Sequence, residues 1–227
     1  MSNEDFAPNW SDQGGIFDPD SFVGTITIIG AGGIGASLIP TLVTVGFRRF
    51  IIYDPDRVED RNIASQLLYK PRDLYRPKVE VCQEYIQTYG DCQVVVEVHQ
   101  RLFTAEDRIT TPVVISAVDN QDARRMIWQA VQDSPDVRLL IDGRIGSEAF
   151  TCLAVDMLDD SDWYDTKFLG DNIAQLPCAS RAIAYPAVAL GAVITRHLVH
   201  WHAGEELPRR VSQDMRDLVQ LVIQAPK

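Results

Sequence analysis

The chain has 227 residues, 46% of them hydrophobic, with 21 Lys and Arg against 32 Asp and Glu and a formal net charge of -11. That length and apolar content suit one α/β domain with ordinary loops, or a domain with a small appendage. The acidic balance, with basic residues scattered rather than clustered, argues against nucleic acid as a partner.

In chain order, residues 1–22 read as an irregular arm rich in Gly, Pro, Asn and Asp. The rest, 23–227, reads as a single unit. "TITII" (25–29) is a β-branched run ending at glycine and predicts a buried strand. "IGASLIPTLVTVGF" follows as a helix that Pro40 should kink or interrupt. "RFIIYD" (49–54) predicts a second strand, and a helix from about 77 to 89 has Pro77 at a plausible first position. "QVVVEVHQ" (93–100) and "TPVVISAVD" (111–119) predict two more strands, and "NQDARRMIWQAVQDS" a helix. "RLLIDGRIG" (138–146) and "EAFTCLAVDML" (148–158) predict strands, and residues 156–178 break the pattern with a run of aspartates. A helix is expected from about 180 to 202, and "VSQDMRDLVQLVIQ" (211–224) leans to helix. Strands alternating with helices imply a mostly parallel central sheet flanked by helices.

The longest apolar stretch, "AIAYPAVALGAVI" (182–194), is too short to span a bilayer and carries a proline. The acidic N-terminus lacks the basic-then-apolar pattern of a leader. A cytoplasmic protein with no membrane partner is therefore expected. The cysteines, Cys82, Cys92, Cys152 and Cys178, form no C-x-x-C pair and suggest neither a zinc site nor a disulfide framework. Cys82 and Cys152 read as core, and the histidines of "RHLVHWH" as helix surface.

Gly30, Gly32 and Gly35 form G-x-G-x-x-G between a strand and a helix, with Gly33 inside the loop. Glycine permits the tight turn and the close approach of backbone to phosphate, and the helix N-terminus offers free N–H groups. Asp54, 19 residues after Gly35, stands where a Rossmann-like fold puts a carboxylate on a ribose. NAD and ATP both carry an adenosine ribose, so these residues alone leave the nucleotide open.

The run "GAGGIGA…YDPDRVEDRNIASQ…RPKVE…SAVDNQDARR" resembles the adenylation domain of the ThiF, MoeB and E1 superfamily, over residues 24 to about 125 and more weakly to about 203. The resemblance implies the Rossmann-like ThiF/E1 adenylation fold and an adenylyltransferase that uses ATP and Mg²⁺. It implies that Asp54, in a D-x-D pair with Asp56, holds the ribose. Asn62 and Gln66 would line the phosphate region, and Lys78 would neutralise the triphosphate. Asp119 would hold the metal and Asn120 would support that corner. Taken singly, Lys78 reads as a solvated first-turn lysine, Asp119 and Asn120 as a helix cap, and Asn62 as a turn residue.

The family's N-L-x-R-Q arginine is Ser65 here, and serine offers neither charge nor a bidentate fork. Arg61, Arg57 and Arg144 are the candidates to replace it. Cys178 stands before "AIAYPAVALGAVI", with Arg181 close by and Pro186 at the proline of the family's apolar helix, and is the candidate nucleophile for thioester or sulfur transfer. The implied substrate is the C-terminal glycine of a ubiquitin-like β-grasp protein, and the implied assembly a homodimer. Two other readings stand beside it: a weakly catalytic scaffold subunit that docks a partner, and an NAD-dependent oxidoreductase.

Overall fold

The structure is a computed structural model and describes residues 8–158, 161–169 and 183–225. The strands are β1 Ile26–Ile29, β2 Arg49–Tyr53, β3 Val95–His99, β4 Val113–Ser116, β5 Leu139–Gly146, β6 Ala149–Asp156, β7 Arg210–Asp214 and β8 Val219–Ile223. The helices are α1 Gly33–Val45, α2 Asp60–Ser65, α3 Lys78–Tyr89, α4 Gln121–Gln132, α5 Asp162–Tyr164 and α6 Ala184–His202, with a π-helical stretch, Asp165–Leu169, directly after α5. All eight strands form one sheet in the order β3-β2-β1-β4-β5-β6-β7-β8. The first five are parallel. The last three join antiparallel.

β1 and β4 are buried at every position. Helices cover both faces of the parallel sheet, so these strands are apolar throughout rather than alternating. Ile28, Ile115 and Ile141 point into one core with Leu38 and Ile39 of α1 and Leu190 and Ile194 of α6. Ile29, Val114 and Leu140 point into the other, with Ile127 and Trp128 of α4 and Tyr164 and Leu169.

The chain runs from β1 outward through β2 to β3, then returns to place β4 on the other side of β1. The β1–β4 boundary is thus a topological switch point, and the crevice beyond the strands' C-terminal ends is where such sheets bind ligands.

Three expectations are corrected. Pro40 does not interrupt α1, which continues to Val45 and ends at Gly46 with φ 104°. Leu38, Ile39 and Leu42 are fully buried, and that packing outweighs the roughly 3 kcal/mol an interior proline costs. The segment 211–224 is a β7–β8 hairpin, not a helix. Val211 pairs with Cys152 of β6 and with Val222, so backbone pairing to an existing edge prevails over a helical pattern that has no face to bury. His197 is buried rather than on the helix surface. In smaller differences, Pro77 precedes the first turn of α3 rather than starting it, and part of the irregular acidic segment is α5 and its π-helical stretch. The described part of the N-terminal arm, residues 8–22, has two 3-10 turns and buries Phe17 and Phe22 against Phe47.

Candidate active site

The glycine loop is built by close approaches. Gly30 adopts φ 105°, and a Cβ there would lie 2.6 Å from the Ala117 carbonyl oxygen. A Cβ on Gly35 would lie 2.2 Å from the Gly30 oxygen. These two glycines are required by packing. Gly32 differs: a Cβ on it would meet no atom within 4 Å, and it faces a cavity at the sheet's C-terminal edge. Its bareness keeps open a space beside the N-terminus of α1, where unpaired N–H groups favour an anion.

The end of β2 forms one wall. Asp54 is buried, and its two carboxylate oxygens accept from the amides of Ala31 (2.6 Å) and Asp56 (2.8 Å). Burial raises its pKa above the usual carboxylate value, opposed by nearby Lys78 and by those amides. Lys78 opens α3 and is only 5% exposed. Its Nζ donates to Asp56 Oδ2 at 2.8 Å, so it is not a solvated lysine. Asn62 accepts the Glu59 amide (2.8 Å) and closes the N-terminal turn of α2. Gln66 carries a buried side-chain oxygen without a hydrogen-bond partner and lines the same cavity.

The ends of β4 and β5 form the opposite wall. Asp119 is exposed. Asn120 caps α4 by accepting from the Ala123 amide at 2.8 Å, so the cap reading holds for it beside its place on the wall. Behind them Asp142 has no solvent exposure. Its Oδ1 accepts from Arg124 Nε (3.1 Å), and its Oδ2 from Arg144 Nε (2.7 Å) and the Tyr164 hydroxyl (3.0 Å). Arg124 also donates to the Val118 carbonyl, and Arg144 Nη2 to the Phe168 carbonyl at 3.1 Å. Burial beside Asp142 pushes the Tyr164 phenol well up.

The cavity has a volume of about 1050 Å³. It brings together Gly30, Gly32, Gly33, Asp54, Asp56, Arg61, Asn62, Gln66, Lys78, Asp119 and Asn120. Gly35 is not on its wall but packs beneath the loop. Of the candidate replacement arginines, Arg57 is off the wall and donates to the Tyr75 carbonyl. Arg61 is on it, largely exposed and paired with Glu59, and Arg144 is on it, held by Asp142. Cys178 and Arg181 lie outside the described residues. Pro186 and Ile183 line the cavity from the start of α6. Burial raises the thiol pKa of Cys152 and pushes that of Cys82 up to about 12, as expected for core residues, while Cys92 is exposed. Tyr53, Arg101, Phe103 and Arg124 also line the cavity. No pattern in the chain singles them out, because they arrive from strand ends and a helix whose meeting depends on the sheet order.

Among the described residues, no group of three or more His, Cys, Asp or Glu is placed to hold a metal ion. Mg²⁺ needs no such group, since it is commonly bound by one or two carboxylates plus substrate phosphates and water. No described helix is long and apolar enough to cross a membrane.

A model of the ThiF family matches residues 22–155. The chain belongs to the ThiF family. The matched region carries the glycine loop, Asp54, Lys78 and Asp119, and so most of the cavity wall. Similar proteins include the SUMO-activating enzyme subunit 2 of Dictyostelium discoideum, 30% identical over 126 residues, which are 53% of this chain and 19% of that protein. The sulfur carrier protein adenylyltransferase of Thermus thermophilus is 33% identical over 110 residues, 47% of this chain and 40% of that protein. This ThiF-family chain therefore spans less than half the length of either relative. Its fold is also that of E. coli MccB, solved with ATP (TM-score 0.70, 14% identity, 91% of this chain and 65% of that one), and of PaaA (TM-score 0.69, 18% identity, 89% and 64%).

Proposed function

We propose that this chain uses ATP with Mg²⁺ to adenylate the C-terminal glycine of a small ubiquitin-like β-grasp protein. The observation that carries the reading is the grouping of the bare Gly32 loop, Lys78 and exposed Asp119 on one cavity of about 1050 Å³, at the upper end of the roughly 300–1,000 Å³ typical of ligand sites. The names of the sulfur carrier adenylyltransferase and the SUMO- and NEDD8-activating relatives support it. The unpartnered oxygen of Gln66 gives a bound nucleotide a buried acceptor to satisfy.

In this reading a substrate carboxylate oxygen attacks the α-phosphorus, the bond to the β-phosphate oxygen breaks, and pyrophosphate leaves. Charge builds on the phosphate oxygens. Lys78, held on the cavity wall beside Asp56, and the α1 N-terminus meet it with groups already in place. Asp119 would hold Mg²⁺, which supplies further charge neutralisation. Asp54 and Asp56 hold the loop and the ribose end, and Asn120 fixes the turn beside Asp119. Arg61 is the exposed cation nearest the missing family arginine. Cys178 would take the acyl group in a later transfer, and a homodimer in the cytoplasm is the expected form.

The test is ATP–pyrophosphate exchange with a purified β-grasp protein ending in Gly-Gly, comparing wild type with Asp119→Ala. Partner-dependent exchange lost in the variant supports adenylation. ATP binding without exchange for any such partner favours a second reading, a scaffold subunit, which the placement of Ser65 on the cavity wall in place of the arginine recommends. Absence of ATP binding sinks the adenylation reading and reopens NAD as the nucleotide.

A further inference from the structure

The mechanism above leaves the Asp142 cluster unused. One carboxylate with no solvent exposure meets two guanidinium groups, so the cluster carries a net positive charge inside the protein. Such clusters are poor stabilisers: desolvation costs several kcal/mol per ion, and well-packed apolar residues of equal volume commonly do as well or better. The placement suggests another use. Arg124 and Arg144 both reach the cavity wall, and three further side-chain contacts fix the region. Gln121 Nε2 donates to the Phe168 carbonyl (2.6 Å), Arg125 Nε to the Leu169 carbonyl (3.0 Å), and the Arg144 guanidinium lies 5.7 Å from the Phe168 ring centroid.

Arg144 enters the cavity from the β5 side, where the adjacent Ile145 borders the glycine loop: a Cβ on Gly33 would lie 3.4 Å from Ile145 Cδ1. The sheet order puts β5 two strands from β1, about 10 Å at the usual strand spacing. The glycine loop follows β1, and Lys78 lies on the β2 side. The β5 end of the cavity is lined by Arg144, Ile145, Gly146, Ser147, Ile183 and Pro186, and Arg124, also on the wall, meets the other oxygen of Asp142. Ser147 holds φ 54° in the β5–β6 turn. A permanently charged guanidinium held on the wall of a cavity, in a cluster of net positive charge, matches a carboxylate.

We infer that Arg144 binds the carboxylate of the second reactant at the β5 end of the cavity, and that Asp142 and Tyr164 are positioning residues that aim its guanidinium. The inference rests on the adenylation reading for the identity of that reactant, but the carboxylate site can be tested alone. The Asp142 carboxylate and the Phe168 carbonyl hold the Nε and Nη2 side of the Arg144 guanidinium, and Tyr164 steadies the same Asp142 oxygen from α5. Arg124, on the other oxygen, holds the Val118 carbonyl and so sets the loop that presents Asp119.

The experiment measures binding of triglycine and of triglycinamide, which lacks the carboxylate, to the full chain with Mg²⁺ and a non-hydrolysable ATP analogue, by saturation-transfer NMR. Nucleotide affinity is measured alongside by calorimetry. Wild type should bind the acid at least 10-fold more tightly than the amide. Arg144→Ala should reduce that ratio below 2-fold while nucleotide affinity stays within about 3-fold, and Arg144→Lys, which keeps the charge, should retain part of it. Asp142→Asn should lose the ratio as Arg144→Ala does, and Tyr164→Phe should lose it in part. A wild type without acid preference, or an Arg144→Ala variant that keeps it, overturns the carboxylate site. A lower Tm in Asp142→Asn with the ratio intact makes Asp142 merely structural and overturns its positioning role. A wild type that prefers the acid but binds no nucleotide overturns the adenylation reading and leaves Arg144 as a carboxylate site.

Discussion

The two halves of the sheet are built on different terms. From β3 to β5 the strands are parallel, and the central ones are buried on both faces between α1, α3 and α6 on one side and α4 on the other. From β6 outward the strands are antiparallel and the cover thins, until every residue of β8 is exposed. The parallel half derives its shape from apolar burial and dictates where the cavity lies. The antiparallel half is held at its outer edge mainly by backbone pairing, and exposes Val219, Leu221, Val222 and Ile223. The same amino-acid types serve as core in one half and as surface in the other, so composition alone does not say what a strand residue does.

That contrast can be broken by mutation. Phe50→Ala in β2, at 1% exposure, should destabilise the protein by about 3–5 kcal/mol, read by chemical denaturation. Gly35→Ala should cost about 3 kcal/mol, because the new methyl meets the Gly30 carbonyl inside van der Waals contact and neither backbone can yield freely. The same variant should weaken ATP binding, since the loop must shift. Asn120→Ala removes the α4 cap and should cost about 1 kcal/mol, with a lower Tm.

A pH titration sharpens the comparison under α6. Burial lowers the pKa of His197 below its ordinary value of 6.5, so the folded state prefers the neutral ring. Its contribution is intact above that value and is lost as the pH falls from 6.5 through the lower folded value. Wild type should therefore lose more Tm than His197→Gln between about pH 7 and pH 5. The smallest effect belongs to the outer strand. Leu221→Ala, at 48% exposure, should change stability by less than about 0.5 kcal/mol.

Legibility in the sequence follows the same division. β1, β4 and the glycine loop are readable because β-branched runs and a fixed glycine spacing are local signals, and β2 is readable as a short apolar and aromatic run ending at Asp54. Lys78 and Asp119 were readable only as members of a family pattern, and the fold then placed them on one cavity. The hairpin of β7 and β8 is not readable as such, because β7 pairs with β6, where the partner of Val211 is Cys152, about 60 residues earlier in the chain. The burial of His197 is not legible, because helical surface and helical interior alternate within one turn, and only the packing of α6 on the sheet decides which side it takes. Asp142 carried no signal: an aspartate in "LLIDGRIG" looks like a strand end until Arg124 and Tyr164 arrive from elsewhere.

Helices α1 and α6 meet almost backbone to backbone. A Cβ on Gly191 would lie 3.0 Å from the Ser37 carbonyl oxygen, and the Thr41 and Thr195 hydroxyls are 2.7 Å apart. Such a contact leaves no room for one helix to slide without the other. The first turns of both helices border the cavity, so the anion-facing loop of α1 and the Ile183–Pro186 rim of α6 form a single fixed jaw. Whatever enters must be accommodated by the β5–β6 turn and the α4 loop opposite. In amide-exchange terms, the two helices should open together, as one cooperative unit, and the deuterium uptake of each should report on the other.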